Sequence, residues 1–364
     1  MRVGVIGGGQ LGRMMAQAGL PLDIQLSFLD PSAEACAAQF GTLVQGAYDD
    51  ADAIDQLVAN VERVTFEFES VPPETVAQIA QQLPVYPSAQ ALATARDRWL
   101  EKSLFQQLGI ETAPIADIAS QADLEAAVER IDLPAVLKTR TLGYDGKGQK
   151  VLRGQADVTG AFGELGAVPM ILEGFVAFDY EVSCIGVRSA SGELAFYPLV
   201  RNEHRQGMLY RSEPLAEHPL QATAETAVGQ VMAALGYVGV LAFEFFVVGD
   251  RLLANEIAPR VHNSGHWTIE GSECSQFENH LRAVADLPLG STETRGCVAL
   301  YNLIGEMPER AQVLSIPGAH WHDYGKSPRR GRKIGHITLT ATTADQLQQR
   351  CAQLEPLLRN ALPN

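Results

Sequence analysis

Short apolar stretches and amphipathic stretches alternate along the N-terminal quarter of the chain. The apolar stretches predict strands at residues 3–6, 24–29, 43–45 and 64–68. The stretches between them predict helices at residues 11–18, 50–60 and 73–82. Strands that alternate with helices are typical of a parallel sheet covered by helices. The chain is therefore predicted to begin with a Rossmann-like α/β unit.

Beyond residue 88 the pattern becomes richer in strands. Further helices are predicted at residues 88–109, 122–129, 222–235 and 345–359. Further strands are predicted at residues 135–137, 170–173, 180–187, 240–248, 252–257 and 338–340. The helical sequence at 88–109 connects the first unit to a second one, so we expect more than one domain.

A glycine-rich hairpin is predicted at residues 137–152. The strand that delivers Lys138 is followed by three glycines, Gly143, Gly146 and Gly148, and the chain then becomes apolar again. Glycine lets backbone N–H groups approach an anion closely, and Lys138 adds positive charge. A phosphate-covering flap and an exposed flexible hairpin fit this pattern about equally, and the pattern is not that of a P-loop.

A second glycine pattern stands between the first strand and the first helix. Gly7, Gly9 and Gly12 match G-x-G-x-x-G, and the next strand ends at Asp30. Taken alone, this is the fingerprint of a dinucleotide-binding unit, so an NAD-dependent oxidoreductase is one candidate. Other phosphates can also bind such a helix N-terminus. Glu67 and Glu69 are expected at the same edge of the sheet, either as ligand contacts or as solvated side chains.

The apolar run at 240–248 contains one carboxylate, Glu244, and a Gly249-Asp250 turn leads to the return strand with Asn255 and Glu256. A two-residue turn would place Glu244 opposite Asn255, whereas a three-residue turn or a bulge would place it opposite Glu256. Two carboxylates so close repel each other unless a divalent cation lies between them. An oxygen-rich site shared with substrate phosphates suits Mg²⁺. The alternative is two independent salt bridges.

Two polar segments follow. The first contains Arg260, His262 and Asn263. In the second, five of the eight residues from Lys326 to Lys333 are cationic, in a chain whose net charge is −15. We interpret this segment as a site for a phosphate-bearing small substrate, with a solvated loop or a nucleic-acid patch as alternatives.

Composition narrows the choice of class. A net charge of −15 disfavours a nucleic-acid partner. The five cysteines are scattered without a C-x-x-C pair, which suits reduced thiols in a cytoplasmic protein and gives no zinc site. The longest apolar run, residues 237–248, is short and includes Glu244, and the N-terminus does not look like a signal peptide. We therefore expect no membrane association.

These motifs together resemble the ATP-grasp superfamily over the whole chain. The resemblance is carried by GGGQLGRM at 7–14, TFEFE at 65–69, KTRTLGYDGKGQ at 138–149, NEIAPRVHNSGHWT at 255–268 and YGKSPRRGRKIGH at 324–336. Within the superfamily the chain is similar to the ligases of microbial purine synthesis that carboxylate 5-aminoimidazole ribonucleotide.

The resemblance implies an α/β protein of ATP-grasp architecture with three parts. Residues 1–95 would form a Rossmann-like pre-ATP-grasp parallel sheet, and residues 96–172 linker helices and a small lid domain with the glycine-rich flap. Residues 173–364 would form an α+β C-terminal domain with the substrate-phosphate loop and a small sheet at 295–360.

The resemblance also implies roles for individual residues. ATP would contact Arg98, Lys138, Gly143, Tyr144, Asp145, Gly146, Lys147, Gly148, Gln149, Glu173, Gly174, Phe175, Val176, Glu181, His204, Asn255 and Glu256. Glu244 and Glu256 would hold Mg²⁺. The ribonucleotide would contact Gln10, Leu11, Glu67, Tyr144, Asp145, His262, Lys326, Arg329, Arg332 and Lys333, with the backbone amides of the first glycine loop facing it. Asp145, Lys147, Arg260 and Asn263 would be catalytic.

The activity that the resemblance implies is an ATP-dependent carbon–nitrogen ligation. ATP, Mg²⁺ and bicarbonate would act on the ribonucleotide through carboxyphosphate, in a cytoplasmic homodimer. Another ATP-grasp ligase, of the formate-dependent glycinamide ribonucleotide transformylase type, is the near rival, and the cationic segment disfavours biotin carboxylase. An NAD-dependent oxidoreductase would leave the flap and the two carboxylates unexplained. A nucleotide-binding regulator would have no use for the two carboxylates.

Overall fold

The computed structural model describes residues 1–141, 143 and 148–358 of the chain. Its N-terminal part is a four-stranded parallel sheet with strand order β3-β2-β1-β4. The elements are β1 (Arg2–Ile6), α1 (Gln10–Gly19), β2 (Gln25–Asp30), β3 (Thr42–Gln45), α2 (Ala51–Val58), β4 (Arg63–Phe66) and α3 (Pro73–Ile79). The predicted Rossmann-like parallel sheet is confirmed, with each strand within two residues of its expected bounds.

The helical sequence at 88–109 forms two helices instead of one. They are α4 (Ala89–Arg96) and α5 (Arg98–Gln107). Asp97 separates them because its backbone is extended, with φ −114° and ψ 109°, and its carboxylate accepts hydrogen bonds from the amides of Trp99 and Leu100. Aspartate is a favoured N-cap residue, so the second helix starts there.

A small antiparallel sheet with strand order β5-β8-β6-β7 makes up the middle of the chain. Its elements are β5 (Ile115–Ile118), α6 (Gln121–Ile131), β6 (Ala135–Thr139), β7 (Gln149–Leu152), α7 (Gln155–Val158), α8 (Ala161–Glu164) and β8 (Met170–Gly174). The pair β6–β7 is the predicted glycine-rich hairpin, with Lys138 opposite Gln149.

The remainder of the described chain builds one nine-stranded sheet with order β14-β13-β9-β11-β12-β15-β17-β16, and β10 pairs with β9. Its strands are β9 (Tyr180–Arg188), β10 (Leu194–Phe196), β11 (Val200–Arg205), β12 (Met208–Pro214), β13 (Gly239–Val248), β14 (Arg251–Ala258), β15 (Cys297–Ile304), β16 (Ala319–Asp323) and β17 (Lys333–Ala341). Its helices are α9 (Gln221–Ala234), α10 (Thr268–Gly271), α11 (Gln276–Ala285), α12 (Arg310–Leu314) and α13 (Ala344–Leu354).

Two expectations for the C-terminal region need correction. The small sheet expected there is continuous with the large one, because β12 pairs with β15 at Arg211 and Ser212. The last helix ends at Leu354 and is followed by a 3₁₀ turn, Glu355–Leu357. Pro356 has no N–H to continue an α-helix, which explains the early end.

The N-terminal sheet and the large sheet share one hydrophobic core. Val3 and Val5 of β1 belong to the same buried cluster as Val187 of β9, Val240 of β13 and Phe277 of α11. Each of these side chains is at most 1% exposed. The N-terminal sheet and the large sheet are thereby packed into the same core. Among the helices that the structure describes, none combines the length and apolar composition that crossing a bilayer requires.

Candidate active site

A cleft of about 840 Å³ is lined by residues of the middle sheet, of the large sheet, and of α1 and the loop after β4 in the N-terminal unit. The predicted site residues that line it are Gln10, Leu11, Glu67, Arg98, Lys138, Gly143, Gln149, Glu173, Gly174, Phe175, Val176, Glu181, His204, Glu244, Asn255, Glu256, Arg260, His262, Asn263, Lys326, Arg329, Arg332 and Lys333. Gly148 is not among the lining residues and lies in the turn before β7. The predictions for Tyr144, Asp145, Gly146 and Lys147 lie outside the described residues.

The two carboxylates of the β13–β14 hairpin face each other. The turn has two residues, with Val248 opposite Arg251, but a bulge shifts the register so that Glu244 pairs with Glu256. Asn255 is the extra residue of the bulge. Of the arrangements that the sequence left open, the structure therefore has the bulged one.

This carboxylate pair fits a divalent cation. Burial raises the pKa of Glu244 to about 7, and the charge of Glu256 contributes to the rise. Within the described residues no group of three or more His, Cys, Asp or Glu side chains could hold a metal. The pair thus supplies two oxygen ligands whose mutual repulsion a cation would relieve, and the remaining ligands would come from phosphate or water, as Mg²⁺ prefers.

Two buried ionisable residues of α5, Glu101 and Lys102, form hydrogen bonds to the backbone on either side of the bulge. The backbone N–H of Ile257 donates to Glu101 Oε1 at 2.6 Å, and Lys102 Nζ donates to the carbonyl oxygen of Ala254 at 3.1 Å. Both side chains are 2% exposed. The bulge is therefore fixed on both sides of Asn255 by one helix.

Lys138 and Lys102 share one carboxylate, Glu173. Oε2 of Glu173 lies 3.1 Å from Lys138 Nζ and 3.5 Å from Lys102 Nζ. Burial would raise the pKa of Glu173, but the two lysines outweigh burial and lower it to about 2. This ion cluster connects β6 and β8 of the middle sheet to α5 and, through Lys102, to the β13–β14 hairpin.

Arg98 reaches the start of the flap. Its guanidinium donates to the carbonyl oxygens of Thr139 at 2.9 Å and Gly143 at 3.0 Å. Glu181 and His204 form a second pair on the sheet face, 2.6 Å apart. Burial is the largest single influence and opposes protonation of this imidazole, but the hydrogen bond to Glu181 and the charges of Glu181 and Glu244 together outweigh burial and raise the pKa of His204.

The first glycine loop requires a correction. Its amides are already bonded to carboxylates of the protein: Gly8 N donates to Asp30 at 2.8 Å, Gly12 N to Glu67 at 2.7 Å, and Gly9 N also to Glu67. These three amides are therefore taken up within the protein and are not available to the ligand that we expected them to face, whereas Gln10 and Leu11 of the same segment do line the cleft. A Cβ at Gly9 would lie 2.6 Å from Glu67 Oε1, so the glycines serve the approach of this buried carboxylate. Burial raises the pKa of Glu67, while the amides of Gly12 and Gly9 oppose that effect.

The basic segment meets the N-terminal unit across the cleft. Lys326 Nζ donates to Oε1 of Gln10, and burial lowers the pKa of this lysine. Arg329, Arg332 and Lys333 line the same cleft. The structure thus brings together the predicted ribonucleotide-binding residues of two distant segments.

The polar loop after β14 contacts both the N-terminal unit and the β13–β14 hairpin. Arg260 pairs with Glu69 at 2.5 Å, and His262 Nε2 lies 3.3 Å from Glu244 Oε1. Burial lowers the pKa of His262 well below its usual value, and the charge of Arg260 adds to this effect. The Asn263 amide exchanges two hydrogen bonds of 2.9 Å with the buried Asn302, so it fixes the loop.

Comparison with known proteins decides the family. The ribonucleotide synthetase preATP-grasp domain family matches residues 1–96, the ATP-grasp domain family residues 103–277, and the phosphoribosylaminoimidazole carboxylase C-terminal domain family residues 298–350. The N5-carboxyaminoimidazole ribonucleotide synthase of Pseudomonas aeruginosa is 61% identical over 98% of this chain and 99% of its own length. The enzyme of that name from Vibrio cholerae is 44% identical over 98% of this chain and 96% of its own.

The chain belongs to the N5-carboxyaminoimidazole ribonucleotide synthase family. The synthetase of Thermus thermophilus superimposes with a TM-score of 0.95 at 52% identity, covering 100% of this chain and 99% of that one. The Aspergillus clavatus synthase in complex with ADP and 5-aminoimidazole ribonucleotide gives a TM-score of 0.89 at 32% identity, covering 98% and 97%. Family membership makes the chain an ATP-grasp carbon–nitrogen ligase and confirms the architecture expected from the motifs.

Membership of this synthase family, together with the glycine loop, removes the dinucleotide interpretation. The amides that would bind a pyrophosphate are occupied by Asp30 and Glu67. In this N5-carboxyaminoimidazole ribonucleotide synthase family member, the G-x-G-x-x-G pattern instead holds Glu67, which lines the cleft.

Four residues at or beside the cleft of this family member were not predicted from the sequence. Glu101 and Lys102 hold the bulge, and Phe178 stacks on Phe246 with ring centroids 4.7 Å apart. Glu101 could have been found, because it stands four residues before the buried Phe105 on the same helix stripe, where a charged side chain is out of place. For Phe178 we find no comparable signal, because it lies in an irregular segment between β8 and β9.

Proposed function

We propose that the chain uses ATP and bicarbonate to carboxylate 5-aminoimidazole ribonucleotide, giving 5-(carboxyamino)imidazole ribonucleotide, ADP and phosphate in purine biosynthesis. The observation that carries the proposal is the single cleft in which Lys138, the Glu244–Glu256 pair and the basic segment around Lys326 meet. An ATP triphosphate requires the first two, and a phosphorylated acceptor requires the third. The relative crystallised with ADP and 5-aminoimidazole ribonucleotide supports this pairing of ligands.

In the ATP half, Lys138 and Arg98 contact the phosphates, and the flap from Gly143 to Gln149 closes over them. The segment Glu173, Gly174, Phe175 and Val176 receives the adenine. The exposed Phe178, stacked on Phe246, offers a flat apolar surface to the base. Glu181, held by His204, takes the ribose hydroxyls, and Asn255 lies beside the phosphates.

Glu244 and Glu256 hold Mg²⁺ in this proposal. A bound ion would supply positive charge to offset the charge of the phosphates during phosphoryl transfer. Lys138 adds a second positive charge on the lid side. Bicarbonate is placed beside Arg260, whose guanidinium is held by Glu69. Charge neutralisation and positioning of this kind supply most of the catalysis in phosphoryl transfer.

In the acceptor half, the basic segment and Gln10 bind the ribonucleotide. Lys326, Arg329, Arg332 and Lys333 collect the 5′-phosphate, with Leu11, Glu67 and His262 on the cleft wall. Tyr144 and Asp145 contact the aminoimidazole in this proposal, and Asp145 and Lys147 join Arg260 and Asn263 as the catalytic set. Bicarbonate attacks the γ-phosphate and displaces ADP, and the resulting carboxyphosphate breaks down to carbon dioxide and phosphate. The exocyclic amine then captures the carbon dioxide and loses a proton. Closure of the flap excludes water, which would hydrolyse the mixed anhydride.

We also propose a cytoplasmic homodimer that binds neither nucleic acid nor membranes. The net charge of −15 supports the first exclusion, and the five unpaired cysteines suit a reducing compartment.

Phosphate release from ATP tests the activity. The proposal requires release that depends on both bicarbonate and 5-aminoimidazole ribonucleotide. Release that depends on formate and glycinamide ribonucleotide, or binding of NADH, would replace it with another function.

The metal assignment is tested by Glu256→Gln. This substitution keeps the shape and removes one anionic ligand, so we expect Mg²⁺ affinity in the presence of ADP to fall by more than about 100-fold, beyond the effect of outer partners. Glu111→Gln is the control, because Glu111 pairs with Arg251 on the exposed side of the same hairpin. Wild-type Mg²⁺ affinity in Glu256→Gln would remove the assignment.

A further inference from the structure

A row of buried polar side chains crosses the cleft face of the large sheet. Ser212 on β12, Asn202 on β11 and Ser183 on β9 are at most 5% exposed. Ser212 is the cross-strand neighbour of Asn202, and Ser183 is the neighbour of Glu244. Cross-strand neighbours share a face of a sheet. The row therefore runs beneath the site and ends beside the metal-binding hairpin.

The hydrogen bonds in this row are all donated in the same direction, from Ser212 toward Ser264. Ser212 Oγ donates to Asn202 Oδ1 at 2.8 Å, and Asn202 Nδ2 donates to Ser183 Oγ at 3.0 Å. Ser183 Oγ then donates to Ser264 Oγ at 2.7 Å. Because the Ser264 oxygen accepts from Ser183, its own hydroxyl hydrogen is left for the next partner. That partner is His262, whose Nδ1 lies 2.9 Å away.

A second donor fixes the tautomer of His262. The backbone N–H of Ser264 also donates to His262 Nδ1, at 3.3 Å. A backbone N–H can only donate, so Nδ1 must be an acceptor. A neutral imidazole with an accepting Nδ1 carries its hydrogen on Nε2. That nitrogen lies 3.3 Å from Glu244 Oε1, so His262 donates to the carboxylate.

The other tautomer would be unfavourable at both ends of the ring. With hydrogen on Nδ1, the ring would meet the N–H of Ser264 with a second N–H. Nε2 would then present a lone pair to Glu244, and the carboxylate would lose a donor in a buried place. An unsatisfied buried polar group costs about 1–3 kcal/mol in proteins, so the two effects reinforce each other.

We propose that Ser264, Ser183 and Asn202 are positioning residues whose directed hydrogen bonds hold His262 as the Nε2–H tautomer and thereby orient Glu244 for Mg²⁺. The inference rests on the proposed metal site. Hydrogen-bonded outer partners orient the ligands of metal sites, and their loss typically weakens metal binding by about 10- to 100-fold.

The tautomer is measured directly in the unliganded protein. Long-range ¹H–¹⁵N correlation spectra of protein labelled with ¹⁵N-histidine distinguish Nδ1–H from Nε2–H rings, and His262→Gln identifies the His262 signals. We expect the Nε2–H tautomer. A ring that carries its hydrogen on Nδ1 in the wild-type protein overturns the proposal, whatever the variants do.

The coupling to the metal is measured with variants. Ser264→Ala removes the bridging hydroxyl, and we expect Mg²⁺ affinity, measured calorimetrically with ADP present, to fall by about 10-fold. Ser264→Thr, which restores a hydroxyl, should recover part of it. Ser272→Ala is the matched control, since Ser272 is also buried and donates to Glu293 O at 3.1 Å, away from the cleft. If Ser264→Ala does not fold, Ser183→Ala replaces it.

Glu244→Gln separates this inference from the proposed function. Unchanged Mg²⁺ affinity in Glu244→Gln would overturn the metal site itself, and the inference with it. Loss of affinity in Glu244→Gln but not in Ser264→Ala would leave the metal site standing and overturn the positioning role alone.

Discussion

Glu101 is a carboxyl group that the protein keeps almost completely out of water. Burial raises its pKa to about 8, with Lys102 opposing this effect and Glu256 adding to it. The shift favours the neutral, protonated form of Glu101. Its Oε1 still accepts the hydrogen bond from the Ile257 amide at 2.6 Å. A neutral side chain of the same shape should therefore accept the same hydrogen bond.

Two substitutions at this residue should differ sharply. Glu101→Gln keeps the accepting oxygen, and we expect its free energy of unfolding at pH 7 to stay within about 1 kcal/mol of wild type. Glu101→Ala leaves the buried N–H of Ile257 without an acceptor and opens a cavity, so we expect a loss of at least about 1–3 kcal/mol. Urea unfolding measures both. Equal losses in the two variants would show that the charge of Glu101, and not its hydrogen bond, is what the fold needs.

Residues such as Lys138, Glu244 and Lys326 could be predicted because each is conspicuous in its own segment. A lysine ahead of three glycines, a carboxylate within Phe and Val, and a cationic run in an acidic chain are local signals. Lys102 gives no such signal, because a lysine in a helix is ordinary until its partner is known. Its partners, Glu173 and Ala254, come from strands far along the chain.

At the scale of elements, Glu173 joins the lid to the rest of the molecule. It stands at the end of β8, and its carboxylate faces Lys138 of β6 and Lys102 of α5. Its pKa in the folded protein, about 2, lies below the value of about 4.3 for an unperturbed glutamate. The unfolded chain thus binds the proton more tightly, so this carboxylate stabilises the fold above about pH 4.3, and the contribution is lost as the pH falls toward about 2.

Glu173→Gln should consequently be costly at pH 7. The substitution leaves two ammonium groups together with a neutral amide, and breaking a buried ion pair in this way costs about 3–5 kcal/mol. We expect that loss in urea unfolding, together with weaker ATP binding. Glu164→Gln is the matched control in the same domain, since the exposed pair of Glu164 with Lys150 should contribute less than about 1 kcal/mol. Similar losses in both variants would contradict the proposed link.

The β13–β14 hairpin shows what sequence can give for an element. The Gly249-Asp250 turn could be predicted, and Gly249 has the positive φ of 60° that favours glycine. The sequence allowed a bulge at Asn255 but did not distinguish it from a regular two-residue turn or a three-residue turn. The bulge is fixed by Glu101 and Lys102 on a helix distant in sequence, so the local pattern does not determine it.

At the scale of the whole molecule, the strand–helix order predicted the parallel N-terminal sheet, but not the single large sheet. The pairing of β12 with β15 spans only two registered pairs, Arg211 with Tyr301 and Ser212 with Leu300. Strand signals indicate which segments are extended, whereas such a brief long-range pairing depends on how the domains pack. The motifs likewise predicted many of the residues that line the cleft. The shape of the cleft could not be predicted, because it depends on how the three parts of the chain pack together.

One buried histidine connects two of these sheets. His280 of α11 accepts the hydrogen bond of Val240 N at Nδ1, 3.1 Å away, so its Nε2–H donates to Thr65 Oγ1 at 2.9 Å. Thr65 belongs to β4 of the N-terminal sheet and Val240 to β13 of the large one. Burial lowers the pKa of His280 to about 4. A proton on Nδ1 would remove the acceptor that Val240 requires.

The sign of the resulting pH dependence follows from that shift. The pKa of His280 is lower in the folded protein than its value of about 6.5 in the unfolded chain, so the unfolded chain binds more protons between these values. Its contribution to stability is complete above about pH 6.5 and is lost as the pH falls toward about 4. Between pH 7 and pH 5 this one group should lower the free energy of unfolding by about 2 kcal/mol.

His280→Gln removes the titrating ring, so we expect the variant to lose about 2 kcal/mol less than wild type between pH 7 and pH 5 in urea unfolding. The difference isolates His280, because buried groups such as Glu101 and Glu244, whose raised pKa values act in the opposite direction, are the same in both proteins. His320→Gln is the control, since His320 is partly exposed and its ring bonds to Thr340 within the C-terminal part of the large sheet. If His280→Gln loses as much free energy of unfolding between pH 7 and pH 5 as wild type, protonation of His280 does not cause the acid sensitivity. The two sheets would then stay in contact when this histidine is protonated.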